Sequence, residues 1–557
     1  MSTLITVGDL MAECLAHIGV RRAYGVISIH NMPILDGFHT RGKIRFISAR
    51  GEAGACNMAD ADARVNAGLG VLVTSTGTGA GNAAGALVEA LTAGTPLLHL
   101  TGQIEAAYLD CDLGFIHEAK DQLAMLRSVG KEAFRISKPE EALAVLEKAV
   151  TLAFTVPRGP VSIECAIDVQ KMALPRPAYP HLQALLPAAI EPNAQAIAVL
   201  AAQLKIAQRP LLWLGGGARG AGDAVARLVN LGFGVVTSVQ GRGIVDETHP
   251  PIVSHSLGAF NLQKAAQDLY AQCDAMVVVG SRLRSNETLS YTLALPKKLW
   301  RIDANPALKK QAHPYAFEGV ILGDAALSLH ALADAIEGTI NIAPDWHASI
   351  ASARAAAEAQ VDSGLAAYLM LKNELNAAVN TLPTPPTWVR DITLSNTMWG
   401  NRSLHLKHPL QGLHALGGGI GQGMQMAIGA ALGLNRKSIA LCGDGGLMLN
   451  VGELACAVQE RADVLLLVMN DACYGVIKNI QDADYGSRHA YVALTTPNFA
   501  QLCASLNVPH YMLCKPEETR STLAAALAQQ GPVMVEVDMK SWGDFAVKFA
   551  GPPRKAH

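Results

Sequence analysis

The stretch Ser438–Gly446, SIALCGDGG, taken with Val464–Cys473, VLLLVMNDAC, decides the fold. Each opens as a strand-length apolar run and ends in a turn rich in Gly, Asp or Asn, with room for one helix between them. Strand, glycine turn, helix and strand make the βαβ unit from which parallel sheets with helices on both faces are built. Asp444 and Asp471 stand 27 positions apart, each just past a strand, so the unit carries both carboxylates to the same sheet edge. Gly443, Gly445 and Gly446 let a phosphate approach the backbone, with N–H groups of the following helix pointing at it. Two hard carboxylate ligands, joined by carbonyl and phosphate oxygens, suit octahedral Mg²⁺. An isolated GDGG is often only a turn; the pair at this spacing carries the argument.

The same plan recurs near the N-terminus. Residues 7–18 place Leu10, Cys14, Leu15 and Ile18 on one helical face, and Arg21–Val26 reads as a strand. Gly70–Ser75 (GVLVTS) is followed by the turn TGTGAGN, an Ala-rich helix to Thr92 and the strand Pro96–Leu100, and Val161–Cys165 reads as the last strand of this block. Prolines then recur through Leu174–Asn193, a linker composition. A second block from Ala194 to Ile340 has strands at Pro210–Leu214, Gly234–Ser238, Ala275–Gly280 and Leu299–Ile302. Residues 341–386 hold an Ala-rich helix and a second linker, LPTPPT; the third block starts with a strand near Val389 and closes on Val533–Val537. The expectation is α/β: three doubly wound parallel-sheet domains over residues 1–175, 194–340 and 365–540, with a tail over 541–557. Ligands of open parallel sheets sit at the carboxyl ends of the strands, which makes the first and third blocks candidate halves of one composite site.

Composition sets the bounds. With 557 residues, three to four domains are expected. Apolar residues make up 50 % and charged ones 17 %, enough for several packed cores. Lys plus Arg number 45 against 47 for Asp plus Glu, so no basic footprint points to nucleic acid or an anionic membrane. Ten cysteines without a CxxC pair suggest reduced buried thiols. The start MSTLITVGDL lacks a signal peptide's basic and apolar regions, and the densest apolar run, Val464–Met469, is strand-sized; a cytoplasmic protein is expected.

With GDGG and the following Asn470-Asp471, the chain resembles the thiamine diphosphate (ThDP) enzyme family, whose fingerprint is GDG followed at this distance by Asn-Asn or a variant. The resemblance spans essentially the whole chain in the order pyrimidine-binding, central and pyrophosphate-binding domain. Its nearest look-alikes are the acetolactate synthase, benzaldehyde lyase and 2-hydroxyacyl-CoA lyase group. It implies that Asp444 and Asp471 hold Mg²⁺ by side chain and Cys473 by its backbone carbonyl. Gly443, Gly445, Gly446 and Val476 then line the coenzyme. Asp471 stands where the family usually has Asn, placing one more negative charge before the diphosphate.

A second element, Ala49-Arg50-Gly51-Glu52-Ala53-Gly54, follows the strand IRFIS and resembles the family's R-H-E segment. By that likeness Glu52 donates to N1′ of the aminopyrimidine. A carboxyl in an apolar pocket stays protonated near neutrality, favouring the imino tautomer that removes the C2 proton. The C2 ylid is the nucleophile, and an enamine follows decarboxylation. Gly51 replaces the usual His and leaves room beside the glutamate. In Leu416–Gly423, LGGGIGQG, Gly418 corresponds to the carbonyl that meets the 4′-amino group and Ile420 to the apolar wedge that bends the coenzyme.

His30, in the turn Val26–Asn31, matches a histidine of benzaldehyde lyase, and His117, in Phe115–Glu118, replaces the Gln of the synthases; both are candidate proton donors or relays. Val476 and Ile477 stand where decarboxylase relatives carry a glutamate, which argues for carboligation or C–C lysis. Asp391 and Thr393 are candidates for a polar substrate tail. Gly215–Gly220 fits GxGxxG, but VVTSVQGRG offers no acidic residue for a ribose, which speaks against NAD. Relatives place FAD or ADP on the central domain, and Arg282, Arg284 and Asp303 are available as contacts; the tail resembles a lid. The resemblance implies a ThDP- and Mg²⁺-dependent 2-oxo acid decarboxylase/carboligase, acetolactate synthase-like. The alternatives are a C–C lyase of acyloins or 2-hydroxyacyl-CoA, or a flavin- or nucleotide-binding oxidoreductase. It also implies a homodimer or homotetramer with a composite site.

Overall fold

The computed structural model describes residues 4–249, 253–254, 264–309 and 312–551. It contains three six-stranded sheets, each of parallel strands. In the first, Arg22–Gly25, Arg45–Ser48, Gly70–Thr74, Leu97–Gln103, Glu132–Ile136 and Pro160–Ala166 stand in the spatial order 2-1-3-4-6-5. In the third, Thr387–Arg390, Gly412–His414, Ser438–Gly443, Val464–Asn470, His510–Leu513 and Val533–Asp538 repeat that order. The central sheet runs 3-2-1-4-5-6 through Pro210–Leu214, Gly234–Thr237, Val253–Ser254, Ala275–Val279, Leu299–Asp303 and Gly319–Leu322. That is the order of dinucleotide-binding folds.

Strands buried on both faces, such as Gly70–Thr74 and Val464–Met469, are near-continuous apolar runs because helices cover each side. The register pairs Gly443 with Met469, so Asp444 and Asp471 emerge at one edge. The first helix, Val7–His17, starts at a capping box between Thr6 and Asp9 and buries Leu10, Cys14 and Leu15.

The first and third domains share one core. Helix Glu52–Asn66 lies on helix Gly423–Leu434, and Met58 and Ala59 pack in one cluster with Met426, Ala430 and Leu466. The approach is close enough that a Cβ on Gly429 would lie 2.2 Å from the Met58 carbonyl oxygen. At its rim Arg22 pairs with Asp62 at 2.8 Å and donates to the Gly433 carbonyl at 3.0 Å. Between the central and third domains, Arg242 and Glu247 form a fully buried pair at 2.7 and 3.0 Å.

The proline-rich stretch after the first block packs on it: Ala173–Pro175 pairs antiparallel with Leu4–Thr6, and Leu185 enters its core. Residues 341–386 carry two helices where one was expected. Trp346–Ser363 packs on the central domain, and Tyr368–Asn380 on the third. All ten cysteines are free. Among the described residues no helix is long and apolar enough to cross a membrane.

Candidate active site

At the third sheet's carboxyl edge, Asp444 begins the helix Asp444–Leu449 and is 1 % exposed. Asp471 immediately follows the neighbouring strand Val464–Asn470, its Oδ1 accepting the Cys473 amide at 3.1 Å. The two carboxyls lie within hydrogen-bonding reach of each other. Burial raises both; the Asp444 charge then pushes Asp471 further, to about 7, whereas the hydrogen bond from Asp471 draws Asp444 back down. Asp444 Oδ2 is buried without a hydrogen-bond partner among the described residues. Two converging carboxylates, one with an orphaned oxygen, are what a divalent cation would neutralise.

The loop around them is tightly built. Ala472 takes a left-handed φ of 50°, with its amide on Asn470 Oδ1 at 3.1 Å. Asn470 donates to Glu536 at 2.7 Å, and Glu536 is held from the other side by His510 at 2.8 Å. Gly445 is crowded: a Cβ there would meet Leu494 Cδ1 at 2.7 Å and the Tyr474 ring at 2.8 Å, so both side chains would have to move. Val476 and Ile477 follow on the helix Gly475–Asp484, with Ile477 49 % exposed. The tail reaches this helix, where Lys548 lies 3.5 Å from Asp482 and Gly551 faces Ile480. Residues 552–557 of the expected lid lie outside the described residues.

Beside this edge runs the glycine loop. Gly418 has φ +85° and open space around it, and Ile420 is exposed. Asp391, a sequence candidate for a polar substrate tail, holds this loop instead. Asp391 does not face a substrate tail: it is 1 % exposed and accepts the Gly421 amide with both oxygens at 3.1 Å and the Ile392 amide at 2.7 Å. Burial pushes its carboxyl up to about 6.

The first sheet's carboxyl edge gathers the other candidates. Glu52 opens the helix Glu52–Asn66, half-buried, and accepts from Asn82 at 3.1 Å. Asn82 ends the TGTGAGN turn, and its partnership was invisible without the fold. A Cβ on Gly79 of the same turn would lie 3.2 Å from Glu52 Oε1, while Thr78 reaches His117 Nδ1 at 3.4 Å. One helical turn thus touches both Glu52 and His117. Nothing lies within 4 Å of a Cβ on Gly51, the open space read from the missing histidine.

His30 and His117 come together, ring centroids 5.4 Å apart. His30 is 6 % exposed, and burial, then the neighbouring His117, lowers its pKa, so it is neutral at physiological pH. Its Nδ1 has no partner among the described residues. Two glycines seat the pair: a Cβ on Gly102 would lie 2.1 Å from the His30 carbonyl oxygen, and one on Gly77 1.9 Å from that of His117.

The central sheet's carboxyl edge opens on a cleft of about 680 Å³, lined by the Gly215–Gly217 turn and by Arg282, Arg284 and Asp303. Its volume is that of a small-ligand site. The second strand ends in Thr237 and Ser238, without the acidic residue that would read a ribose in a dinucleotide fold.

Comparison with known proteins agrees with this layout. Three family profiles match in order: the thiamine pyrophosphate enzyme N-terminal TPP binding domain over residues 5–125, the central domain over 197–332 and the C-terminal TPP binding domain over 395–537. The chain is similar to the probable 2-ketoarginine decarboxylase AruI of Pseudomonas aeruginosa, at 29 % identity over 96 % of this chain and 94 % of that protein. It is 26 % identical to the acetolactate synthase isozyme 1 large subunit of Escherichia coli, over 96 % of this chain and 93 % of that one. Acetolactate synthase 2 of Zea mays is 24 % identical, over 95 % and 84 %.

Proposed function

The chain belongs to the thiamine pyrophosphate enzymes, of the acetolactate synthase and decarboxylase type, and from that premise we propose that it decarboxylates a 2-oxo acid with ThDP and Mg²⁺ and transfers or releases the acyl unit. The observation that carries the metal and coenzyme assignment is the convergence of Asp444, buried, and Asp471, half-buried, at one sheet edge beside the crowded Gly445. Their side chains would hold Mg²⁺, with the Cys473 carbonyl as a third ligand. When bound, the coenzyme supplies the nucleophile and the electron sink for breaking a bond beside a carbonyl.

The chain's own residues do the rest. Glu52, oriented by Asn82, moves a proton at the aminopyrimidine N1′. Gly418 and Ile420 set the pyrimidine in place. His30, neutral, and His117 exchange protons with substrate oxygens. Val476 and Ile477 keep water from the acyl carbon, which favours carboligation over simple protonation.

A homodimer or homotetramer completes the site. Exposed apolar side chains flank both edges, Ile29 at 56 % and Ile116 at 77 % on the first and Ile420 at 37 % and Ile477 at 49 % on the third, and a second copy would cover them. A nucleotide such as FAD or ADP on the central domain is a second reading, favoured by the cleft holding Arg282, Arg284 and Asp303. Absorbance of the purified protein, and of the supernatant after denaturation, tests it.

Calorimetric titration with ThDP in the presence of Mg²⁺ tests the main reading, followed by incubation with pyruvate, longer 2-oxo acids, 2-ketoarginine and benzoin-type ketones. CO₂ release with acyloin or aldehyde products is expected from one of the oxo acids. Cleavage of the ketones alone would move the assignment to a C–C lyase, and absence of coenzyme uptake would end it.

A further inference from the structure

Two buried carboxylates cross between the first and third domains, in opposite directions. Glu453, 2 % exposed at the start of the helix Glu453–Glu460, accepts the Arg50 and Gly51 amides on Oε1, both at 2.9 Å. Glu89, 2 % exposed on the helix Ala84–Ala93, accepts the Leu416 amide on Oε1 at 2.5 Å and the Gly417 amide on Oε2 at 2.6 Å. Each therefore chelates two consecutive N–H groups of the opposite domain. The segments they seize lie immediately ahead of Glu52 and of the Gly418–Ile420 turn.

The two arrangements are topological counterparts. Each glutamate lies on a helix between the third and fourth strands of its own sheet, and each grips the segment after the second strand of the other. The neighbours are shaped to admit them. A Cβ on Gly54 would lie 2.3 Å from Glu453 Oε1, and one on Gly417 2.7 Å from Glu89 Oε2. Burying a carboxylate among backbone donors is expensive unless those donors need it. Here they do, because the Arg50, Gly51, Leu416 and Gly417 amides lie in the connections after a strand, outside ladder and helix, and donate to no backbone carbonyl among the described residues.

Resting on the function proposed above, we infer that Glu453 and Glu89 are positioning residues. Glu453 sets the backbone that aims Glu52, and Glu89 sets the loop that receives the pyrimidine, so each domain fixes the other's catalytic segment. Neither glutamate transfers a proton in this role; each acts as an acceptor for two N–H groups. An amide oxygen can replace Glu453 Oε1, because Oε2 has no partner among the described residues. Glu453→Gln therefore keeps the clamp and Glu453→Ala removes it, whereas a proton-relay role would be lost in both.

The test is amide hydrogen exchange on the full-length, coenzyme-free protein, following the peptide over residues 49–56, with the buried strand 97–103 as internal control. Glu453→Ala should raise exchange in the first peptide about tenfold and leave the second unchanged. Glu453→Gln should stay within about threefold of wild type in both. At saturating ThDP and Mg²⁺, turnover of the accepted 2-oxo acid should fall at least about tenfold in the Ala variant and recover in the Gln variant. Unchanged exchange over 49–56 in Glu453→Ala would overturn the proposal. So would a Gln variant as inactive as the Ala variant with normal exchange, since that pattern belongs to a proton carrier. A wild type that binds no ThDP would sink the functional reading instead, while the exchange result still decides the clamp.

Discussion

Replacing Asp391 by Asn should stabilise the protein at neutral pH and loosen its hold on the coenzyme. The Asp391 carboxyl is fully buried and raised from 3.8 to about 6, chiefly by desolvation, with the Ile392, Gln422, Gly423 and Gly421 amides opposing. A raised carboxyl binds a proton in the native state that the unfolded chain has already released. Stability therefore falls as pH rises from about 4 to about 6 and is level above that. At about 1.36 kcal/mol per pH unit, the full loss is about 3 kcal/mol, of which about 2 kcal/mol falls between pH 4.5 and pH 8. Asn does not titrate and resembles the protonated acid in shape. The difference between Asp391→Asn and wild type should thus be small at pH 4.5 and favour the variant by about 2 kcal/mol at pH 8. All other groups titrate alike in the two proteins and cancel. The assay is urea denaturation at both pH values, followed by a probe of the third domain. Coenzyme affinity should meanwhile weaken severalfold, because an amide offers one acceptor where the carboxylate offers two to the Gly421 amide. A stability difference that does not change with pH, or a variant less stable at pH 8 than at pH 4.5 relative to wild type, would refute the reasoning.

Glu52→Gln should bind ThDP near wild-type affinity yet lose about 10²–10⁴ in turnover, as expected for a general acid–base; steady-state kinetics with calorimetry separate the two effects. Asp471→Asn removes one of two like charges before the diphosphate and should tighten ThDP binding about fivefold at saturating Mg²⁺. Unaltered or weaker binding on titration would contradict the role given to that extra charge. Arg242→Ala removes the guanidinium paired with the fully buried Glu247, leaving its charge uncompensated by that cation, and should destabilise by about 3–5 kcal/mol in denaturant titration. Gly102→Ala forces a Cβ to 2.1 Å from the His30 carbonyl, so melting should fall and exchange over residues 26–32 should rise, with helix 423–434 unaffected.

What was legible in the sequence follows burial. The interior strands Gly70–Thr74, Leu97–Gln103, Ser438–Gly443 and Val464–Asn470 are runs of apolar residues because both their faces are covered. In the three large sheets the strands not read from sequence, Glu132–Ile136, Val253–Ser254, Gly319–Leu322, Gly412–His414 and His510–Leu513, are all at sheet edges. They are short, and Gly319–Leu322 and His510–Leu513 are largely half-exposed, so their composition blends with loops. The same division applies to the site. Asp444, Asp471 and Glu52 stand in local motifs whose spacing survives in one dimension. Asn82, Glu89 and Glu453 reach partners 30, 327 and 403 positions away, and no local pattern announces such a pairing. Asp391 was misread for a related reason: a carboxylate that serves backbone amides looks, in sequence, like one that serves a ligand.

The repeated strand order explains why these distant partners exist at all. Because the first and third sheets share the order 2-1-3-4-6-5, the segment after the second strand falls at the same place in both: Ala49–Glu52 in one, Leu416–Ile420 in the other. The helices that follow, Glu52–Asn66 and Gly423–Leu434, then meet face to face, and the small residues along them bring the backbones together at Gly429 and Met58. Once that contact is made, a side chain on the helix after either third strand is within reach of the opposite catalytic segment. A group placed about 1 Å from its working position can lose two orders of magnitude in rate, so a site shared between two domains requires their relative position to be stiff. A dry core of Ala, Gly and Met residues supplies stiffness without direction. The Arg22–Asp62–Gly433 contact and the two glutamate clamps supply direction, because hydrogen bonds to backbone amides fix register as well as distance. Domain packing and catalytic geometry are thus one property of this chain, and a substitution that loosens the helix contact should reach Glu52 before it reaches the global fold.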